Sequence, residues 1–231
     1  RYVRHLDRLV DLAEKEIART RWLPWFQGLA EMYLEQFTHC RSVFAGKYGR
    51  DLISAFRNFQ DSGNIEILTC GATHAFMPLI KNPVVARAQI EVAARQYEKF
   101  FGRKPRGIWL AECGYSPGIE EHLEKFGIQY FFTDTHGVLH AEPRPRYGVF
   151  APVSCPNGVA VFGRDIESSK QVWRTRDRDP EDYGYRDFYR DVGFDLEYDY
   201  IKPYLGSDGN RKSLNLNGYA VTSHCYEKPG R

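Results

Sequence analysis

The chain has 231 residues and a formal net charge of +2, with basic and acidic residues mixed along its length. Such a balance shows no basic surface of the kind that binds nucleic acid, so no nucleic-acid partner is expected. No segment approaches the roughly 20 consecutive apolar residues that a membrane span requires, so no membrane partner is expected either.

The cysteines carry no metal or redox signal. They are far apart and odd in number, at Cys40, Cys70, Cys113, Cys155 and Cys225. None of them forms the C-x2-C pair of zinc ribbons and thioredoxin-like proteins. The pattern predicts a reduced, cytoplasmic protein, and we expect neither a cofactor nor a metal.

Helical periodicity dominates the first quarter of the chain. Apolar positions at helical spacing predict helices over residues 2–21, 29–47 and 51–60, with an aromatic break at 22–27. Gly63 ends the last of these helices. Residues 1–62 are therefore predicted to form a helical segment.

Strand and helix patterns then alternate. Residues 65–69, 107–110 and 129–133 are predicted as strands, and residues 83–101 and 119–126 as helices between them. This order indicates parallel strands with right-handed crossovers. A doubly wound sheet fits the same order, but no glycine-rich phosphate loop follows any of the three strands. A β/α barrel is therefore the preferred fold.

Charged side chains follow the predicted strands. Glu112 comes just after one strand, Asp134 directly after the next, and His74 just after the first. In a β/α barrel the strand ends are where chemistry is placed. A carboxylate near Trp109 suits work on sugars, because the carboxylate can attack an oxocarbenium-like centre while the indole stacks on the ring. The alternative for Glu112 is a solvated acid near a helix N-terminus, and for His74 a structural role.

After residue 140 the alternation fades. Residues 147–153 and 159–162 are predicted as short strands, with a turn at 156–158 between them. A polar stretch rich in Asp, Arg and Tyr follows as far as Tyr204. Residues 214–222 are predicted as a last strand.

One segment is familiar. Residues 109–115, Trp-Leu-Ala-Glu-Cys-Gly-Tyr, resemble the Trp-Leu-Pro-Glu-Cys-Ala-Tyr segment of glycoside hydrolase family 57, and of its α-1,4-glucan branching enzymes in particular. The resemblance implies that Glu112 is the catalytic nucleophile. Ala111 and Gly114 depart from the usual proline and alanine, and leave the acid in place.

Two further segments extend the resemblance in the right order. Residues 71–74 end in Ala-Thr-His, which in the family places a histidine, here His74, at the sugar subsite. Residues 167–173 look like the insertion of the branching enzymes, which implies that Trp173 borders the acceptor glucan. On the same resemblance we expect Trp109, Asp134 and His136 to contact substrate.

The resemblance also implies the architecture. We expect an incomplete (β/α)7-type barrel of the glycoside hydrolase and deacetylase kind, an α/β fold with parallel strands, outer helices and an irregular insertion. Residues 1–231 would be a partial catalytic domain, with the core at 63–140 and an insertion and acceptor-side region at 141–231. The family's His-x-His strand and its general acid, an aspartate in an Asp-x-Glu-Phe-Gly-like segment, are expected outside this chain. The chain is thus expected to be a fragment, inactive in isolation.

The implied function is a retaining α-glucan transferase, a 1,4-α-glucan branching enzyme that cleaves α-1,4 bonds and forms α-1,6 branches in glycogen or starch metabolism. Its partner would be an α-1,4-glucan such as amylose, glycogen or starch. Within the family, α-amylase and 4-α-glucanotransferase are alternatives.

Two alternatives come from other classes. His136 and His140 have the H-x3-H spacing of metal-dependent carbohydrate deacetylases, with Asp134 just before them, although Gly137 and a loop context weaken that geometry. The second alternative is a truncated domain that binds glucan through Trp109 and Trp173 without turning it over.

Overall fold

The computed structural model describes residues 1–173 and 191–216. The chain divides into two compact units, one made of residues 1–51 with 170–231 and the other of residues 52–169. The predicted division at residues 62 and 140 follows function rather than contacts, and it stays a prediction. Among the described residues, no helix has the length and apolar character needed to cross a membrane.

The described part of the first unit is mainly helical. Helices α1 (Tyr2–Arg19) and α2 (Pro24–Ser42) pack along one another, and a π-helical turn at Val43–Lys47 extends α2. Pro24 begins α2 instead of breaking the chain as predicted, because a proline at the first helical position needs no N–H partner. A cluster of buried apolar side chains forms the core of this unit, at Leu6, Leu9, Leu12, Ala13, Phe37, Val192, Ile201, Tyr204, Leu205, Leu214 and Leu216.

The second unit contains a sheet of five strands in the order β1-β2-β3-β5-β4. These are β1 (Thr69–Cys70), β2 (Gly107–Trp109), β3 (Tyr130–Thr133), β4 (Val153–Ser154) and β5 (Ala160–Gly163). Strands β1, β2, β3 and β5 are parallel, and β4 pairs antiparallel with β5. The predicted α/β fold with parallel strands is confirmed, and over the described residues the sheet is open.

Five α-helices accompany the sheet in the described part of this unit. They are α3 (Leu52–Asp61), α4 (Pro83–Phe101), α5 (Ile119–Lys125), α6 (Thr135–Leu139) and α7 (Ile166–Trp173). Three of them, α4, α5 and α6, lie between successive strands in the chain. Local signals fix both ends of α4: the Asn82 side chain accepts from the Val84 amide at 2.9 Å, and Gly102 adopts φ 71° after the last turn. The helix therefore has the predicted bounds.

Two short helices, α8 (Val192–Asp195) and α9 (Tyr198–Ile201), belong to the first unit. The buried carboxylate of Asp191 caps α8 by accepting from the Gly193 amide at 2.8 Å and the Leu214 amide at 2.7 Å. Of the strand predicted at 214–222, residues 214–216 are not in strand conformation, and residues 217–222 lie outside the described residues.

The two faces of the sheet differ. Ile108, Phe131 and Val161 point into the core, where Ile90 of α4 and Leu123 of α5 meet them. Alternate residues point to the other face, as the twofold period of a strand requires. That face carries a row of aromatic rings with neighbouring centroids 5.6–5.9 Å apart, formed by Trp109, Tyr130, Phe132 and Phe162.

Two predicted strands are shorter in the structure. Of residues 65–69, only the last joins β1, because side chains take the backbone groups before it. The Ile67 amide donates to Gln60 Oε1 at 3.1 Å, and its carbonyl accepts from the Tyr97 hydroxyl at 2.9 Å. Residues 147–152 form turns, including a 3-10 turn at Gly148–Phe150, so only Val153 of the predicted segment lies in β4.

We expect Ile90→Ala to lower the free energy of unfolding by about 2–5 kcal/mol, because Ile90 is fully buried in the sheet core. Val92→Ala on the same helix is the control, since Val92 is 55% exposed, and its change should stay within about 0.5 kcal/mol. Urea unfolding measures both. Equal effects of the two substitutions would contradict this description of the core.

Candidate active site

The carboxyl ends of the parallel strands place polar side chains along one edge of the second unit. His74 follows β1, Glu112 follows β2, Asp134 follows β3 and Arg164 follows β5. We call this edge the rim. Because the strands are parallel and neighbouring, residues distant in sequence meet there.

Glu112 and His74 are neighbours on the rim. Glu112 Oε1 lies 3.8 Å from His74 Nε2, and the two side chains are 80% and 53% exposed. This distance exceeds a normal hydrogen bond, so the pair is close but not locked together. A carboxylate this open can be reached by an incoming ligand.

Backbone strain is concentrated at the same place. His74, Glu112 and Cys113 adopt φ values of 54°, 51° and 55°. The left-handed region costs a residue with a side chain roughly 1–2 kcal/mol. Such residues persist only where their surroundings hold them, and they cluster at functional sites.

Hydrogen bonds hold the turn after β2. The Cys113 carbonyl accepts from the hydroxyl of buried Thr133 at 3.3 Å, and the Cys113 amide donates to the Leu110 carbonyl at 2.9 Å. The Thr133 carbonyl in turn accepts from the Arg164 amide at 2.9 Å. The conformation of Glu112 therefore depends on the neighbouring strand β3.

An ion pair adjoins this turn. Arg164 Nη1 lies 3.2 Å from Asp134 Oδ1 and 4.0 Å from Cys113 Sγ. Burial raises the pKa of the Cys113 thiol, while the nearby Arg164 opposes that rise. The thiol is thus a packed neutral group rather than a nucleophile. Arg164 was not among the residues selected from the sequence, although it lies two positions after the strand predicted at 159–162.

Two aromatic residues lie near the turn after β2: Trp109 ends the strand, and Phe76 packs against Gly114. Trp109, the last residue of β2, is half-buried with its ring 5.9 Å from that of Phe132. Phe76 is 40% exposed and lies against Gly114, where an added Cβ would come within 2.4 Å of the ring. Glycine in place of the family's usual alanine permits this approach. Phe76 was not selected from the sequence, where its proximity to His74 was the available signal.

His136 lies in a cavity of about 380 Å³ beside the Asp134–Arg164 pair. Its walls are Asp134, Thr135, His136, Leu139, His140, Arg164, Ile166 and Ser169. The expected loop at His136 is a short helix, α6, with His140 at its C-cap. Nowhere in residues 1–173 or 191–216 do three or more His, Cys, Asp or Glu side chains converge in a way that could hold a metal ion.

Trp173 is the last residue of α7. Its side chain, and residues 174–190 that continue the insertion predicted from the sequence, lie outside the described part of the chain. The acceptor role expected of Trp173 therefore stays a prediction.

Comparison with known proteins identifies relatives of this chain. A family model described as glycosyl hydrolase family 57 matches residues 1–202. A 1,4-alpha-glucan branching enzyme from Thermococcus kodakarensis is 35% identical, with 61% of this chain and 25% of that protein covered. The chain thus spans about a quarter of the length of this curated relative.

Solved structures share the fold. The alpha-amylase AmyC from Thermotoga maritima superposes with a TM-score of 0.88 and 43% identity, covering 98% of this chain and 44% of that one. The branching enzyme of the same family from Pyrococcus horikoshii gives a TM-score of 0.74 and 32% identity, over 82% of this chain and 37% of that one. With the family model extending over most of its length, the chain belongs to glycosyl hydrolase family 57.

Proposed function

We propose that the full-length protein acts on α-1,4-glucans with retention of configuration and that Glu112 is its nucleophile. The observation that carries the proposal is the placement of Glu112, an exposed carboxylate at the end of β2 with His74 Nε2 3.8 Å away. Membership of family 57 supplies the class of chemistry.

In the first step, Glu112 attacks the anomeric carbon of the glucan and forms a covalent glycosyl-enzyme. A general acid protonates the leaving glycosidic oxygen, so the departing chain leaves as an alcohol. Retaining enzymes place two carboxyl groups about 5 Å apart for this purpose. The second group is expected outside this chain.

In the second step, a hydroxyl group attacks the same carbon and releases Glu112. Deprotonation of that hydroxyl by the same acid, now a base, restores the enzyme. Two inversions at one carbon give retention. Attack by the 6-hydroxyl of a second glucan forms an α-1,6 branch, whereas attack by water gives hydrolysis.

The rim supplies candidate substrate contacts. His74 can hydrogen-bond a sugar hydroxyl beside the reacting carbon, and Trp109 offers an aromatic surface for a sugar ring. Asp134 and His136 border the cavity next to Arg164, where further glucose units could lie. Trp173 is proposed to contact the acceptor chain.

Branching is the proposed outcome, because curated relatives at 30–35% identity are named branching enzymes. Hydrolysis is the second candidate. The observation in its favour is the 43% identity to a protein named as an alpha-amylase over nearly all of this chain.

Replacing Glu112 with glutamine in the full-length protein keeps the side-chain shape and removes the anionic nucleophile. We expect turnover on amylose to fall by roughly 10³-fold or more, as when covalent nucleophiles are removed, while glucan binding persists. Glu121→Gln on α5 makes the same chemical change at an exposed position and should leave turnover unchanged. Near-normal turnover of Glu112→Gln would eliminate the nucleophile assignment.

Product linkage separates the two candidate outcomes. On amylose, a branching enzyme raises the number of α-1,6 linkages, seen as a new anomeric proton signal, without raising the number of reducing ends. A hydrolase raises the reducing ends without forming that signal. We expect the first result, and a steady increase in reducing ends alone would assign hydrolysis instead.

A further inference from the structure

The loop that carries His74 is a tight turn. The His74 amide donates to the Gly71 carbonyl at 2.9 Å, which closes the turn around Ala72 and Thr73. His74 leaves this turn with φ 54°. Its imidazole therefore reaches Glu112 only while the turn keeps its shape.

One residue of α4 holds both central residues of the turn. The Ala72 amide donates to the Gln89 backbone carbonyl at 3.1 Å, and the Thr73 amide donates to Gln89 Oε1 at 2.9 Å. Gln89 Nε2 donates in return to the Thr73 hydroxyl at 2.9 Å. The side-chain amide thus bonds a donor and an acceptor of the same residue, which fixes its orientation.

The three hydrogen bonds of Gln89 to the turn form what we call the clamp, and the helix that carries Gln89, α4, is anchored in the sheet core. Ile90, next to Gln89, is fully buried in the sheet core, and both ends of α4 are capped. The backbone carbonyl and the side chain of Gln89 therefore connect the turn to α4, and α4 connects it to the sheet core.

We propose that Gln89 is a positioning residue that sets His74 against Glu112. The inference rests on the proposed function for its effect on turnover. Left-handed backbone at a residue such as His74 is maintained only by its surroundings, and the three bonds to Gln89 are part of them. Loss of the side-chain bonds lets the turn relax and moves the imidazole from the reacting carbon.

Three variants of the full-length protein test this role. Gln89→Leu removes both side-chain bonds at similar volume. Gln89→Glu keeps them, because a carboxylate accepts from the Thr73 amide and from the Thr73 hydroxyl. Gln96→Leu is the matched control, the same substitution on the exposed side of the same helix.

We expect Gln89→Leu to lower kcat on amylose about 10-fold with little change in KM, which is the scale for groups that orient a reacting residue. Gln89→Glu should restore most of the rate, and Gln96→Leu should leave it unchanged. Rates are compared at a temperature where thermal melts show every variant folded. A kcat for Gln89→Leu within twofold of Gln96→Leu overturns the proposal.

Two measurements do not depend on turnover. Hydrogen exchange of the Thr73 amide should accelerate at least 10-fold in Gln89→Leu, because its acceptor is gone. The imidazole NMR signals of His74 should shift on Glu112→Gln in the parent protein and shift less in the Gln89→Leu background. If the exchange rate of the Thr73 amide is unchanged, or if the His74 signals shift equally in both backgrounds, Gln89 does not position His74.

These readouts keep the two proposals apart. If Glu112→Gln stays active, the proposed function fails, while the exchange and NMR results still decide whether Gln89 positions His74. If Gln89→Leu does not fold, Thr73→Val breaks the Nε2–Oγ1 bond from the other side and should lower kcat about threefold. An unchanged kcat in Thr73→Val would contradict the proposal.

Discussion

The register of the parallel strands is the constraint on which this structure depends. Pairing aligns Ile108 with both Thr69 and Phe131, and Phe131 with Val161. Ile108, Phe131 and Val161 lie on the core face, so a slip of one residue in β2, β3 or β5 would exchange core side chains for the aromatic face. Burial of these three side chains therefore also determines where their strands end, and hence where the rim residues lie.

The rim is strained, and neighbouring elements maintain the strain. The left-handed Cys113 is held by Thr133 of β3, and the turn before His74 by Gln89 of α4. Each strained residue is thus fixed by an element other than its own. Such cross-bracing keeps Glu112 and His74 together without a direct hydrogen bond between them, and leaves both free to bond a ligand.

Local signals were enough to predict part of the fold. Pro83 and Gly102 bracket α4, and its bounds followed from the sequence. The strand at 65–69 failed because Gln60 and Tyr97 compete for its backbone, a tertiary effect that periodicity does not contain.

The positions of the candidate site residues were predictable to the same degree, while their roles stay predictions. Positions after strands, together with the family segment, indicated Glu112, His74 and Asp134. Arg164 and Phe76 were missed, because their relevance lies in contacts with Asp134 and Gly114 that form only in the fold. Glycine instead of alanine at position 114 has a structural reason in the fold, because a Cβ there would clash with the Phe76 ring.

In the proposed mechanism, hydrolysis and branching share every step up to the glycosyl-enzyme on Glu112, so the segment around this residue is compatible with both. This explains how relatives named for either activity match the same chain. The choice is a competition between water and a sugar hydroxyl for one carbon. Glu112 is 80% exposed in the described structure, so the transfer proposed above would require bound glucan or further protein to displace water from the rim. The cavity between α6 and the first turn of α7 adjoins that space, and its side chains are where selection for the acceptor would act.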